Sequence, residues 1–396
     1  MNDPKIIVEF FSEEALENIM AILRYKPERV IYLGHKHNMI TKKILSTRRF
    51  AEQVSPETIL EFIEVPRDDL ELCTKTLRNI VAKYPEACFE LTGGGEMFLI
   101  AYGILSSEAS LRSLRIDPYT NTEIHMLAGT APVTEHADVS ISVEEDIILH
   151  GGALREDTGS FSTWRFTDDF RSDIRKIWNV ACTFRHRWNR YCAVLEDMIK
   201  KYPVQSDGYV RLPKSGLQEA SELLIALADI EVLRDFSEEP KAFAFHFKND
   251  MIKSVVTKTG NILELHVYEV ATRIPTSFTD AVISAVIDWD GNRVKSADTQ
   301  NEIDVILMRN VAPIFISCKS GHCDSKALHE LETVTSRFGG KYAKKVLIMS
   351  VPADTTVSGA SFFKQRAKDM HIWVLDNIYE MSDELLINKL RRIQGV

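Results

Sequence analysis

Short apolar runs of strand length alternate with helical patterns over about the first 150 residues of the chain. KIIVEFF (5–11) and RVIYLGH (29–35) are strand-like, and EEALENIMAILRYK (13–26) between them carries apolar residues at helical spacing. ILEFIEV (59–65) predicts a helix, and ACFELTGGG (87–95) a strand that runs into three glycines. That rhythm predicts a βαβ, doubly wound sheet. From Trp164 to about Glu239 the pattern turns helical, with a winged-helix flavour, in IRKIWNVACTFRHRWNRY (174–191) and LQEASELLIALADIEVL (217–233). Strand signal returns from Ala242 in AFAFHF, AVISAVIDW, EIDVILM, PIFISCK, KKVLIMSV and HIWVLD, interleaved with the helical DSKALHELETVTSRF (324–338). The predicted organisation is an α/β protein with a Rossmann-like domain over residues 1–155, a helical connector over 156–240 and a second α/β domain over 241–396.

Length and charge narrow the picture. A chain of 396 residues exceeds what one core ordinarily supports. The formal net charge of -9 argues against a general coat of positive charge, so any polyanion site must be local. The opening MNDPKIIVEFF has no basic segment or long apolar region, and no stretch reaches the length of a membrane span, so a cytoplasmic protein with no membrane partner is expected. The six cysteines lack CxxC spacing and read as reduced thiols, not as a zinc site.

Two places carry candidate chemistry. In LTGGGEMFLIAYGIL (91–105) an apolar strand passes through Thr92, Gly93, Gly94 and Gly95 into an apolar helix, which leaves free backbone N–H groups for an anion. It is neither a P-loop nor a dinucleotide fingerprint. Ser12 follows the first strand, and His35 and Lys36 follow the second. All would gather at the carboxyl edge of one parallel sheet, where a phosphate-rich, nucleotide-like anion fits. The second place is NEIDVILMRNVAPIFISCKSG (301–321). There Glu302 and Asp304 share a strand face, and Ser317 and Lys319 share a face of the next run. Paired as a hairpin, the runs bring Lys319 toward Asp304, which suits metal-dependent phosphodiester cleavage as well as a plain cross-strand ion pair. The basic and aromatic residues of 171–191 fit a strand-gripping surface, but read more simply as an amphipathic helix packing its aromatic side inward.

The strand–Ser12 start, the strand–TGGG–helix element and IDVILMRNVAPIFISCKSG with ALHELETVTSRFGGKYAKK together resemble the CARF-domain, restriction-endonuclease-like ancillary nucleases of type III CRISPR defence. The resemblance covers essentially the whole chain. It implies a homodimer whose N-terminal domains bind a cyclic oligoadenylate, most often cyclic tetra-adenylate, as allosteric activator, and whose C-terminal domains cut DNA or RNA with Mn²⁺ or Mg²⁺. The family signature is Asp, then Asp or Glu, a spacer and Lys. Asp304 and Lys319 match it, but Ser317 stands at the acidic position. Cys318, the spacer, would offer its backbone carbonyl to the metal, and Glu330, ranked ahead of Glu302, would replace the missing acid. The family also places an acid on an earlier element, for which Glu264 in TKTGNILELHVYEVAT is the match; the pattern alone leaves strand or helix open there, and the resemblance makes it a helix. Asp288, ending AVISAVID, reads as structural or metal-binding. A non-catalytic oligoadenylate-responsive protein and a ring nuclease acting on the oligoadenylate are the alternatives.

Overall fold

The computed structural model describes residues 3–127, 129–155, 161–291, 300–353 and 360–394. The first sheet has seven strands. β1 (Ile6–Phe10), β2 (Arg29–Gly34), β3 (Ile59–Glu64), β4 (Cys88–Glu90) and β5 (Arg112–Asp117) are parallel, and β6 (Thr122–Leu127) and β7 (Val133–His136) return antiparallel. The order β3-β2-β1-β4-β5-β6-β7 reverses its direction of growth between β1 and β4. The loops after these two strands leave on opposite sides of the reversal and open a crevice there.

The segment ILEFIEV is β3 and not a helix. Leu60 and Phe62 pack toward Tyr32 while Ile63 packs on the opposite face, so its apolar residues serve both sides of an edge strand. Over seven residues that pattern mimics helical spacing.

β8 (Ala153–Arg155) leaves the N-terminal domain and pairs antiparallel with β12 (Asp280–Asp288), far along the chain. The second domain therefore takes its outermost strand from the end of the segment assigned to the first. Only glycine fits at position 152 beside it, because a Cβ there would stand 2.6 Å from Phe338 and 2.9 Å from the Asp288 carbonyl oxygen. Arg155 ion-pairs with Asp288, which is fully buried, so this carboxylate fastens β8 to β12.

The connector holds the helices Asp168–Phe184, Trp188–Lys201 and Ser221–Asp229 and a small antiparallel sheet of β9 (Tyr209–Pro213), β10 (Leu233–Glu238) and β11 (Ala242–Phe247). AFAFHF thus belongs to this wing and not to the second α/β domain, which carries the connector past residue 240. Trp178, Phe184, Trp188 and Tyr191 are buried, while Arg175, Arg185, Arg187 and Arg190 each pair with a glutamate. The stretch packs its aromatic side inward, as an amphipathic helix does.

The remaining sheet has the order β16-β15-β14-β13-β12-β8. β12, β13 (Gln300–Arg309) and β14 (Ala312–Lys319) form an antiparallel meander, and β15 (Lys344–Met349) and β16 (Ile372–Leu375) add parallel strands. Val305, Leu307, Ile314 and Ile316 fill one face under the helix Asn261–Thr272. Ile306, Met308, Phe315 and Leu347 fill the other, under the helix Ser325–Phe338. Each such aliphatic side chain, fully buried, contributes about 1.5–3 kcal/mol. The second core also takes Leu16, Ile19 and Met20 from the N-terminal domain, so the two domains share apolar packing. No described helix is long and apolar enough to cross a membrane.

His150, which ends the helix Val143–Leu149, lies 3.4 Å from Asp146 and 3.7 Å from Glu14. Burial opposes a charged ring there, but the two carboxylates outweigh it and push the pKa up to about 10. The unfolded value is about 6.5, so the stabilisation is complete below that pH and fades as pH rises toward the folded value. We therefore expect the unfolding free-energy difference between the parent and His150→Gln, measured with urea, to be largest near pH 6 and to shrink toward pH 10. A difference independent of pH would contradict this.

Candidate active site and sheet-edge cavity

The β13–β14 ladder runs from Arg309–Ala312 to Val305–Ile316 and stops. On the other side of β13, paired positions pass from Ile283–Val305 to Ala285–Ile303, omitting the position where Ser284, with φ of +49°, lies across from Asp304. Asp304 thus sits where the backbone ladder is interrupted on both sides. Its carboxylate takes a bond that the ladder would have made, accepting from the Cys318 backbone N–H, and also accepts from the Ser317 hydroxyl at 3.2 Å. β14 is held from the far side by the parallel register Ser317–Leu347 to Lys319–Met349. The strand carrying Lys319 therefore stays in place while its partner opens.

Glu264 lies in the first turn of the helix Asn261–Thr272, so the resemblance chose the right element type where the alternation was equivocal. Burial pushes the Glu264 carboxyl well up, and the charges of Asp304 and Glu302 add to that, while Lys319 opposes it. Burial likewise raises Asp304, against the Cys318 amide, Lys319 and Ser317, with the Glu330 charge adding to the rise. Glu264, Asp304 and Lys319 are thus one electrostatic cluster, with Glu302 acting on Glu264 and Glu330 on Asp304. Like-charged carboxylates coupled at a half-buried edge are an environment that a divalent cation would relieve, and hard carboxylate oxygens are the donor type that Mg²⁺ or Mn²⁺ takes. The Cys318 side chain is buried in the core, which leaves its backbone facing the cluster. Glu332 points away, to Lys345 and Ser336.

Lys319 and Glu330 open onto a cavity of about 1040 Å³ that is also lined by Lys326, Arg366 and Phe362, the last 79% exposed. Sequence reasoning missed Phe362 and Arg366 because they lie on a separate helix with no strand register to point to them. It also missed Asn189 of the connector, whose amide donates to the Ser320 carbonyl oxygen and, at 3.2 Å, to Ser320 Oγ beside Lys319.

At the carboxyl edge of the first sheet, Ser12, His35, Gly94 and Gly95 line a cavity of about 490 Å³ together with His37, Asn38 and Arg67, which the sequence did not single out. His35 is fixed by its Nδ1 contact of 2.9 Å to the Val65 carbonyl oxygen and by stacking on Phe98 at 4.4 Å. The helix Glu96–Glu108 begins here with no side chain capping its first N–H groups. Three predicted residues stand apart. Thr92 is tied to the Glu90 carboxylate and accepts the Ile116 N–H at 2.9 Å, Gly93 packs on Ser12 and Glu17, and Lys36 is exposed outside the cavity lining. Beneath the loop, Glu9 and Glu90 are buried side by side on β1 and β4, and burial raises both carboxyls.

No protein-family model matches the chain, and no curated protein does. Solved structures do. Protein VC1899 from Vibrio cholerae superposes with a TM-score of 0.75 at 16% identity, over 98% of each chain. Can2 from Sulfobacillus thermosulfidooxidans, solved in complex with cyclic tetra-adenylate, gives 0.70 at 17% identity, over 99% of this chain and 98% of that one. The fold is accordingly one that these structures share: an N-terminal Rossmann-like domain, a helical connector with a small sheet, and a C-terminal α/β domain. It is the end-to-end architecture of Can2.

The glycine loop yields a contrast. Gly94 has φ of +96°, and a Cβ there would lie 2.2 Å from Phe10 Cβ, whereas at Gly95 the first atom met is His35 Nε2 at 3.3 Å. Gly94→Ala is expected to lose roughly 2–6 kcal/mol from backbone strain and overpacking together. Gly95→Ala should lose less than about 1 kcal/mol. Urea unfolding of both variants checks this; equal losses would contradict it.

Proposed function

We propose that the chain is a cyclic oligoadenylate-activated, metal-dependent nuclease of type III CRISPR defence, that its activator is cyclic tetra-adenylate, and that it acts as a homodimer on DNA or RNA. One observation carries the proposal: Glu264, Asp304 and Lys319 converge at an interrupted sheet edge, in a chain that shares its whole fold with a protein that binds cyclic tetra-adenylate. The sheet-edge cavity, with its uncapped helix start, Arg67 and His35, suits a phosphate-bearing ligand. Leu99, Ile100 and Ile104 on the same helix are 42%, 51% and 37% exposed, a stripe that a second copy would cover when two cavities face one ligand.

In this reading Glu264, Asp304 and the Cys318 carbonyl would hold the divalent cation, which when bound would supply Lewis acidity toward the scissile phosphate and lower the pKa of a bound water. The Lys319 ammonium neutralises charge that develops on the phosphate oxygens and orients the attacking water. Ser317, donating to Asp304, fixes that carboxylate without adding a charge, and Glu330, which lies 3.5 Å from Lys326 and whose charge acts on Asp304, would supply the missing anion. Lys326 and Arg366 attract the backbone of the substrate, and Phe362 offers a face on which a base stacks.

Serine at the acidic position also favours a second reading, a protein that responds to the oligoadenylate without cutting. Incubating the full chain with DNA and with RNA, with Mn²⁺ or Mg²⁺, with and without cyclic tetra-adenylate, separates the readings. New ends that require both metal and activator support the nuclease. Activator binding without new ends supports the sensor, and breakdown of the activator itself supports a ring nuclease.

Asp304→Ala and Lys319→Ala should each cut at a rate lower by about 10²-fold or more, with activator affinity within about twofold of the parent. Full activity in either would remove it from the mechanism. Glu330→Gln should raise the Mn²⁺ concentration needed for half-maximal rate by about 10-fold. An unaltered metal titration would assign the missing charge to Glu302 or to water.

A further inference from the structure

A cavity of about 700 Å³ lies between the N-terminal and C-terminal domains and shares Ser12 and Glu13 with the sheet-edge cavity. Its walls bring Lys42 and Lys43 of the helix Thr41–Val54 against Arg337, at the end of the helix Ser325–Phe338, and Lys341 in the turn that follows. Two of these cations are already engaged. Lys341 pairs with Glu17 at 2.5 Å, and Lys43 donates to the Glu13 carbonyl oxygen at 2.9 Å. Lys42 and Arg337 have no ion pair with any described residue.

The acids that face them are also occupied. Glu14 accepts the Lys341 backbone N–H at 2.8 Å and lies 3.7 Å from His150, and Glu13 lies 3.9 Å from His37. Burial lowers the Lys42 pKa, the Arg337 charge lowers it further, and Asp290 offsets part of this. The fold thus sets an ammonium and a guanidinium from two domains on the walls of one cavity, which shares Ser12 and Glu13 with the candidate ligand site, and Asp290 offsets only part of their mutual repulsion. Such a repulsion is relieved by an anion that takes a point charge from one side and a planar fork of donors from the other.

We propose that Lys42 and Arg337 form a phosphate subsite, through which the ligand held at the edge of the first sheet touches the C-terminal domain directly. This rests on the reading of that edge as the cyclic oligoadenylate site. Arg337 follows Glu330 by about two turns on one helix, so a phosphate that draws Arg337 toward Lys42 shifts the helix that also bears a candidate active-site acid. The coupling is then mechanical: one rigid element answers to the ligand at its carboxyl end and to the cleavage site nearer its start.

Calorimetric titration of cyclic tetra-adenylate into the full chain at several salt concentrations tests this. Lys42→Ala and Arg337→Ala are each expected to weaken binding by about 10-fold and to flatten its salt dependence, and Arg337→Lys to keep most of the slope. Variants with the parent's melting midpoint, affinity and salt slope would overturn the subsite. If the parent itself fails to bind, the sheet-edge reading falls first, and inorganic pyrophosphate becomes the probe. Binding by the parent that is lost in Arg337→Ala then sustains the subsite, and no binding by the parent overturns it.

Discussion

The C-terminal half of the molecule depends on one bond, from the Cys318 backbone N–H to the Asp304 carboxylate. A buried amide must find an acceptor, and where β13 and β14 part after Val305 and Ile316 no carbonyl is in register to supply it. Asp304 takes that place. The substitution turns the end of a ladder into a carboxylate aimed at the gap, and Glu264, from the helix packed over the same strands, meets it there. A desolvated pair of carboxyls with one lysine nearby is costly as a structural feature alone, which is why we read it as a site.

The N-terminal half is organised by a different constraint, the reversal of strand order between β1 and β4. It brings the Ser12 loop and the glycine loop to one crevice, and Glu17 connects that crevice to the other domain. One Glu17 oxygen accepts from Ser12 Oγ at 2.6 Å; the other accepts from Tyr342 OH at 2.7 Å and from Lys341. A ligand that engages Ser12 therefore competes with a bond whose far end holds the C-terminal domain. For that to regulate anything, the ligand must bind one arrangement of this network better than another.

Much of this was legible in the chain. Alternating strands and helices gave the doubly wound sheet, and the two-residue period placed Asp304 and Lys319 on facing sides of a hairpin. The loops at Ser12, His35 and Gly94–Gly95 followed from where parallel strands end. What the sequence hid was tertiary. ILEFIEV divides its apolar residues between two faces of an edge strand, AFAFHF joins the wing, and Ala153–Arg155 crosses to the other domain. No local pattern distinguishes these from the alternatives. Thr92 was read as a ligand residue, and its hydroxyl is bound to the Glu90 carboxylate and the Ile116 amide of the neighbouring strands. Asn189 and Phe362 carry no periodic signature, since their meaning lies in what a distant element brings beside them.

The most direct measurement is of Mn²⁺ bound to the full chain, followed by electron paramagnetic resonance as the ion is titrated into the parent and into Asp304→Asn. If the interrupted edge of β13 and β14 is a phosphodiester-cleaving centre, the parent immobilises Mn²⁺ at a site whose affinity falls by about 10-fold or more when that carboxylate becomes an amide. Identical titrations of the two proteins would contradict the account at its centre, because the cluster of Glu264, Asp304 and Lys319 would then hold no metal.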